Sequence, residues 1–316
     1  MRYAVYILAM MTALSVAEEE KVNYKLDDDG KAIRLVADGK PVFQYNYNDV
    51  THPDVQDTNF TRNGYLHPVW TPSGKIITDD WALKDNHAHQ RGVWFAWTKT
   101  EIGGKPRDFW NLGKGEGKPF FAKFAEKSTD GFVAEHEWKI GNGGKNTQYT
   151  DVVLRERWMV RAAGRVENGF LFDLTTRQEA LVPIHLPLYH YGGIAFRGAS
   201  EWQPKTAPIK VVTSEGDDRV AGDKGVARWW HVQGKLGDGV AGFAIFDAPT
   251  NKNHPTPMRL NPDIPYFGFF PFKRKPFTIE PNQPIEFHYR MLVHDRELAP
   301  EKIESLWQNW SKSVTK

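Results

Sequence analysis

Residues 85–97 read Asp85-Asn86-His87-Ala88-His89-Gln90-Arg91-Gly92-Val93-Trp94-Phe95-Ala96-Trp97. Two histidines and an arginine stand at alternate positions before an apolar, aromatic run that reads as a buried strand. In β geometry His87, His89 and Arg91 project from one face, roughly 6.6 Å apart along the chain. Two imidazoles and a guanidinium side by side are poor core material. They suit an oxyanion, a cluster of sugar hydroxyls or a metal.

Similar β-like runs extend outward from this stretch: Ala32–Val36, Val42–Tyr47, Val93–Thr98, Phe132–Ile140, Val152–Val160, Phe170–Thr176, Ile209–Thr213, Gly242–Phe246 and Ile285–Val293. Gly, Pro, Asn and Asp punctuate them, and Asp28-Asp29-Gly30 and Asp38-Gly39 carry the signal of tight hairpin turns. Helical periodicity is almost absent until Pro300. There Ile303, Leu306, Trp307 and Trp310 fall at helix spacing and predict a helix docked on the sheet. The pattern predicts an all-β protein, a large antiparallel β-sandwich with a C-terminal α-helix. Lys99–Phe120 and Ala248–Lys275 read as long irregular stretches of the kind that carry function.

The chain has 316 residues, enough for one large β domain or two ordinary ones, and no linker separates them. One domain over residues 18–316 is the expectation. Twelve Trp, eleven Tyr and nineteen Phe favour strands and supply flat faces on which sugar rings stack. Trp94, Trp97 and Trp110 are candidate platforms. The net charge of +2 excludes a nucleic-acid-scale basic surface.

Arg2, the apolar run Tyr3–Leu14 and Ser15-Val16-Ala17 form a signal-peptide pattern over residues 1–17. The expected location is therefore extracytoplasmic, periplasmic or secreted, with no integral membrane span after cleavage. With no cysteine, disulfides, thiolate metal sites and a cysteine nucleophile are unavailable.

Polar residues gather around the opening stretch: Tyr65-Leu66-His67-Pro68, Thr78-Asp79-Asp80-Trp81 and Asp108-Phe109-Trp110-Asn111. A carboxylate bonded to a histidine fixes its tautomer and raises its pKa, as an acid or base requires. Asp80 or Asp85 is the candidate for that part. His190, Gly192, Gly193 and Arg197 form a second cluster, and His254 and Arg259 a third on a proline-stiffened loop. The nucleotide-binding, zincin and Gly-x-Ser-x-Gly motifs are all missing.

Three segments resemble a known pattern. Tyr65-Leu66-His67-Pro68, Thr78-Asp79-Asp80 and His87–Trp97 are similar to YIHPL, TDD and DHPHHRGLWFAW. Tyr191–Arg197 is similar to YGGLGLR, and His254–Arg259 to HPTPW-R. This is the pattern of a secreted bacterial family labelled methane oxygenase PmoA or PmoA-like. Here Asn86, Ala88, Gln90 and Met258 depart from it. A membrane methane monooxygenase subunit needs several spanning helices and this chain offers none, so methane oxidation is not inferred. The layout instead resembles the galactose-mutarotase-type supersandwich, a fold that hosts sugar epimerases, polysaccharide lyases and glycoside-processing domains.

The expectation is a carbohydrate-active protein taking a carbohydrate or other small-molecule ligand. Its catalytic candidates are His87, His89, Arg91 and Asp80. Its substrate-binding candidates are His67, His190, Arg197, His254, Arg259 and Trp110. The alternatives are a non-catalytic carbohydrate-binding module and a copper or zinc protein ligated by His87 and His89. Oligomeric state is not legible.

Overall fold

A computed structural model describes residues 22–82, 87–203 and 208–315. The signal-like segment 1–17 and Asp85 lie outside the described residues. The strands are β1 (Tyr24–Asp28), β2 (Ala32–Ala37), β3 (Lys40–Asn46), β4 (Tyr65–Val69), β5 (Val93–Ala96), β6 (Thr100–Ile102) and β7 (Lys105–Arg107). Next come β8 (Gly117–Ser128), β9 (Gly131–Gly141), β10 (Tyr149–Val166), β11 (Gly169–Ala180), β12 (Ile184–Leu186), β13 (Gly193–Arg197) and β14 (Ile209–Thr213). A four-residue helix α1 (Arg219–Gly222) precedes β15 (Val226–Ala227), β16 (Trp229–Leu236), β17 (Gly239–Asp247), β18 (Thr256–Leu260), β19 (Tyr266–Phe269), β20 (Phe277–Ile279) and β21 (Ile285–Asp295). Helix α2 (Pro300–Val314) closes the chain.

Alternation builds the layers. In β11 buried and half-buried residues alternate from Phe172 onward, so one face enters the core and the other meets solvent. The strands form antiparallel sheets of nine (β1-β2-β3-β4-β5-β13-β19-β18-β15), eight (β14-β16-β17-β21-β11-β10-β9-β8) and four (β20-β12-β6-β7) members. The two larger sheets pack face to face through aromatic pairs. Phe43 meets Phe172 at 5.0 Å between ring centres, and Phe196 stacks on Phe243 at 4.2 Å. The expected all-β sandwich is what the chain adopts.

Asp38-Gly39 makes the two-residue turn its sequence predicts. Both residues sit at positive φ, and Ala37 pairs with Lys40. Helix α2 begins at Pro300 and buries Ile303 and Trp310 against Trp229, Phe246 and Leu292 on the outer face of the eight-stranded sheet. Among the described residues no helix is long and apolar enough to cross a membrane.

Two expectations need correction. The stretches Lys99–Phe120 and Ala248–Lys275 are not irregular throughout, since they contain β6, β7, β18 and β19. Strands of three to five residues punctuated by Gly and Pro leave too few alternations to be read. The second correction concerns the opening stretch: His87 to Gln90 is a turn, closed by Gln90 N–H donating to the His87 carbonyl at 2.8 Å. Gly92 explains why the strand waits until Val93. It sits at φ +50°, and a side chain there would strike the Leu66 carbonyl and the His67 Cβ.

Candidate functional site

The site lies on the outer face of the nine-stranded sheet. Phe95 and Phe196 point into the sandwich, so their neighbours Trp94 and Ala195, paired across β5 and β13, point out. The same alternation turns Arg259 of β18 and Tyr266 of β19 outward. Trp110 covers Trp94 at 5.0 Å, and Tyr191 and Tyr266 flank it at 5.6 and 6.1 Å. Asp108 holds Trp110 in place by accepting from the Trp110 and Asn111 backbone N–H groups at 2.9 and 2.8 Å.

Above this aromatic floor is a cavity of about 230 Å³ lined by His87, His89, Gln90, Trp110, Asn111, His190, Tyr191, Arg259, Asn261 and Tyr266. Five of the residues singled out from the sequence therefore meet here: His87, His89, His190, Arg259 and Trp110. The two imidazoles face edge to face at 5.9 Å, brought together by the turn and not by strand alternation. Asn111 donates to the Tyr191 hydroxyl at 2.9 Å, and Arg259 pairs with Asp223 at 2.7 Å. Tyr266 is buried, and its hydroxyl has no hydrogen-bond partner among the described residues. The same holds for Trp94 Nε1 beneath.

The remaining predicted residues lie elsewhere. Arg91 is fully buried behind the turn. Its guanidinium bonds Asp80 and the Tyr65 hydroxyl and stacks over Trp81 at 3.0 Å. Asp80 is therefore committed to an arginine and not to either histidine. A buried guanidinium cannot shed its charge, so it claims the nearest carboxylate. Arg197, also fully buried, donates to the Gln90 side chain at 2.7 Å and lies near Asp79. It supports the cavity through Gln90 without lining it. His67 pairs with the Thr78 hydroxyl at 2.9 Å. His254 pairs with Asp247 at 2.7 Å and stacks on Trp307 of α2, outside the cavity. Trp94, beneath Trp110, and Trp97 are fully buried and do not line the cavity; Trp97 donates to Gln178 at 2.7 Å.

Sequence reasoning missed Gln90, Asn111, Tyr191, Asn261 and Tyr266 as lining residues. Asn111 and Tyr191 directly follow the flagged Trp110 and His190. Asn261 opens, and Tyr266 directly follows, the proline-containing connection between β18 and β19, where composition was the available signal.

Electrostatics separates the histidines. Burial, then the neighbouring His87, pushes His89 down to about 3, with Asp108 opposing weakly. His89 is therefore neutral at working pH and offers one donor and one acceptor. Burial pushes Tyr191 up to about 12 and Tyr266 well above its ordinary value, so both hydroxyls keep their protons. His190 is held below its ordinary value by burial and by Arg259 and Lys273.

The geometry defines an all-β protein with a small polar cavity over an aromatic floor. The chain belongs to a family of unknown function, DUF6807, whose model matches residues 32–308. No curated protein matches it.

The neutral histidines carry a pH consequence. His231 and His294, both buried, meet Nε2 to Nε2 at 2.9 Å, and burial holds both below their ordinary value of 6.5. The unfolded chain takes up protons below pH 6.5 that these folded sites and His89 refuse. Stability is thus full above 6.5 and falls as the pH drops toward the folded values. For His89 alone the loss at pH 5 is about 2 kcal/mol. Thermal midpoints are expected to fall steadily between pH 7 and 5; a constant midpoint over that window would contradict the assignment.

Proposed function

We propose that this protein is an extracytoplasmic carbohydrate-active protein whose outer-face cavity binds one sugar unit and whose His87 transfers a proton to or from it. The observation that carries the reading is the lining itself. Amides, phenols and imidazoles converge over the Trp110 floor beside the Arg259–Asp223 pair, and the buried Tyr266 hydroxyl lacks a partner among the described residues. A buried polar group without a partner costs free energy that a ligand hydroxyl would relieve. Sugars present many hydroxyls on an otherwise apolar ring, matching such a mixture of groups. A His89 neutral down to about pH 3 is no general acid at working pH, and of the two cavity histidines that remain, His87 and His190, the reading gives proton transfer to His87. The N-terminal signal pattern supports the extracytoplasmic location.

The copper or zinc alternative finds less support. Among the described residues no group of three or more His, Asp or Glu side chains is arranged to hold a metal.

A glycan array tests the reading. The protein is expected to retain a defined subset of glycans, and Tyr266→Phe to weaken that binding about tenfold, the worth of one buried hydrogen bond. An array on which wild type binds nothing removes the carbohydrate reading.

A further inference from the structure

His89 borders a second space. On its other side lies a cleft of about 590 Å³ lined by Asp54, Gln56, Asp57, Phe60, Lys145 and Asn146, together with Val55 and Ala88. The His87–Gln90 turn is therefore a partition, with His89 lining both compartments.

The cleft wall is built and held. The Asp57 carboxylate accepts from Asn146 N–H at 2.9 Å, and the Asn146 side chain accepts from Thr58 N–H at 2.8 Å. Asn59 ties the same two loops by accepting from Thr147 N–H at 3.0 Å and donating to the Gly144 carbonyl at 2.7 Å. Between them Phe60 is half-buried, its ring edge seated over Gly113. Gln56 and Lys145 are exposed at the cleft. The cleft shares with the first cavity an aromatic ring bordered by amide side chains, and adds a carboxylate and an ammonium that can bond further hydroxyls.

Resting on the carbohydrate reading above, we propose that the cleft is a second sugar subsite and that the ligand is an oligosaccharide of at least two units spanning the His89 partition. The first cavity is below the about 300–1,000 Å³ of drug-sized ligand sites, whereas the cleft falls inside that range. A monosaccharide would fill the first and leave the second to solvent. Neutral His89 then offers its donor to one unit and its acceptor to the other or to the linkage oxygen.

The test is calorimetric titration with ladders of one to four units of gluco-, galacto-, manno-, xylo- and galacturono-oligosaccharides. Wild type is expected to bind the two-unit member of one ladder at least tenfold more tightly than its monosaccharide. The double variant Gln56→Ala, Lys145→Ala, which alters exposed side chains only, is expected to lose that tenfold gain while keeping monosaccharide affinity. Equal affinity for one and two units, or an undiminished gain in the double variant, overturns the second subsite and leaves the first cavity's role intact. Failure of every ladder to bind wild type overturns the carbohydrate reading and this inference with it.

Discussion

His87→Ala is expected to lower turnover of the bound sugar at least about a hundredfold, the lower end of what a positioned acid or base contributes. On the proposed reading the Michaelis constant should change little, because Gln90, Asn111, Asn261 and Tyr266 would still line the cavity that holds the substrate. His89→Gln is expected to do the reverse. An amide replaces a neutral imidazole with a comparable donor and acceptor but the wrong reach, so binding weakens more than turnover. Neither change should unfold the protein, since both rings line a cavity and neither fills the core. Steady-state kinetics on the pair checks the assignment. Wild-type turnover in His87→Ala would remove its catalytic role and leave a binding module.

The second large effect falls on stability. Asp80→Ala is expected to cost about 3–5 kcal/mol, because it strands the fully buried Arg91 without its carboxylate. Arg91 Nη1 already lacks a partner among the described residues, so no spare acceptor stands ready. The thermal midpoint should drop by about 10 °C. Replacing the arginine as well, with Arg91→Met, should recover most of the loss by removing the stranded charge. A double variant no better than Asp80→Ala would mean that the carboxylate acts other than through Arg91. An Asp80→Ala protein with an unchanged midpoint but no turnover would return Asp80 to the catalytic list.

Why Asp80 and Arg91 lie apart from the two histidines follows from the same geometry. Strand alternation would have put Arg91 beside His87 and His89, but Gly92 at positive φ breaks the backbone before Val93. Arg91 then turns inward to Asp80 while the histidines stay on a turn outside. Short-range pattern carries no signal for such a break, because a glycine reads alike in a strand and in a left-handed turn. What alternation does report, it reported well. All nine β-like runs overlap strands, and helix α2 presents its predicted face. The cavity was legible where its residues cluster in the chain, at His87, His89, Trp110 and His190. Asn261 and Tyr266 arrive through the pairing of β19 with β13 and of β18 with β19, a long-range register that no local window contains. His254 fails for the opposite reason. It is near Arg259 in sequence, but its carboxylate partner Asp247 and Trp307 hold it on the α2 side.

The most direct test is a crystal structure of the protein soaked with the tightest ligand of the glycan array. A sugar ring is expected over Trp110, within hydrogen-bonding distance of the Tyr266 hydroxyl and of His87. A sugar seated instead on the charged face of the eight-stranded sheet, among Glu135, Arg157 and Arg177, would contradict the account.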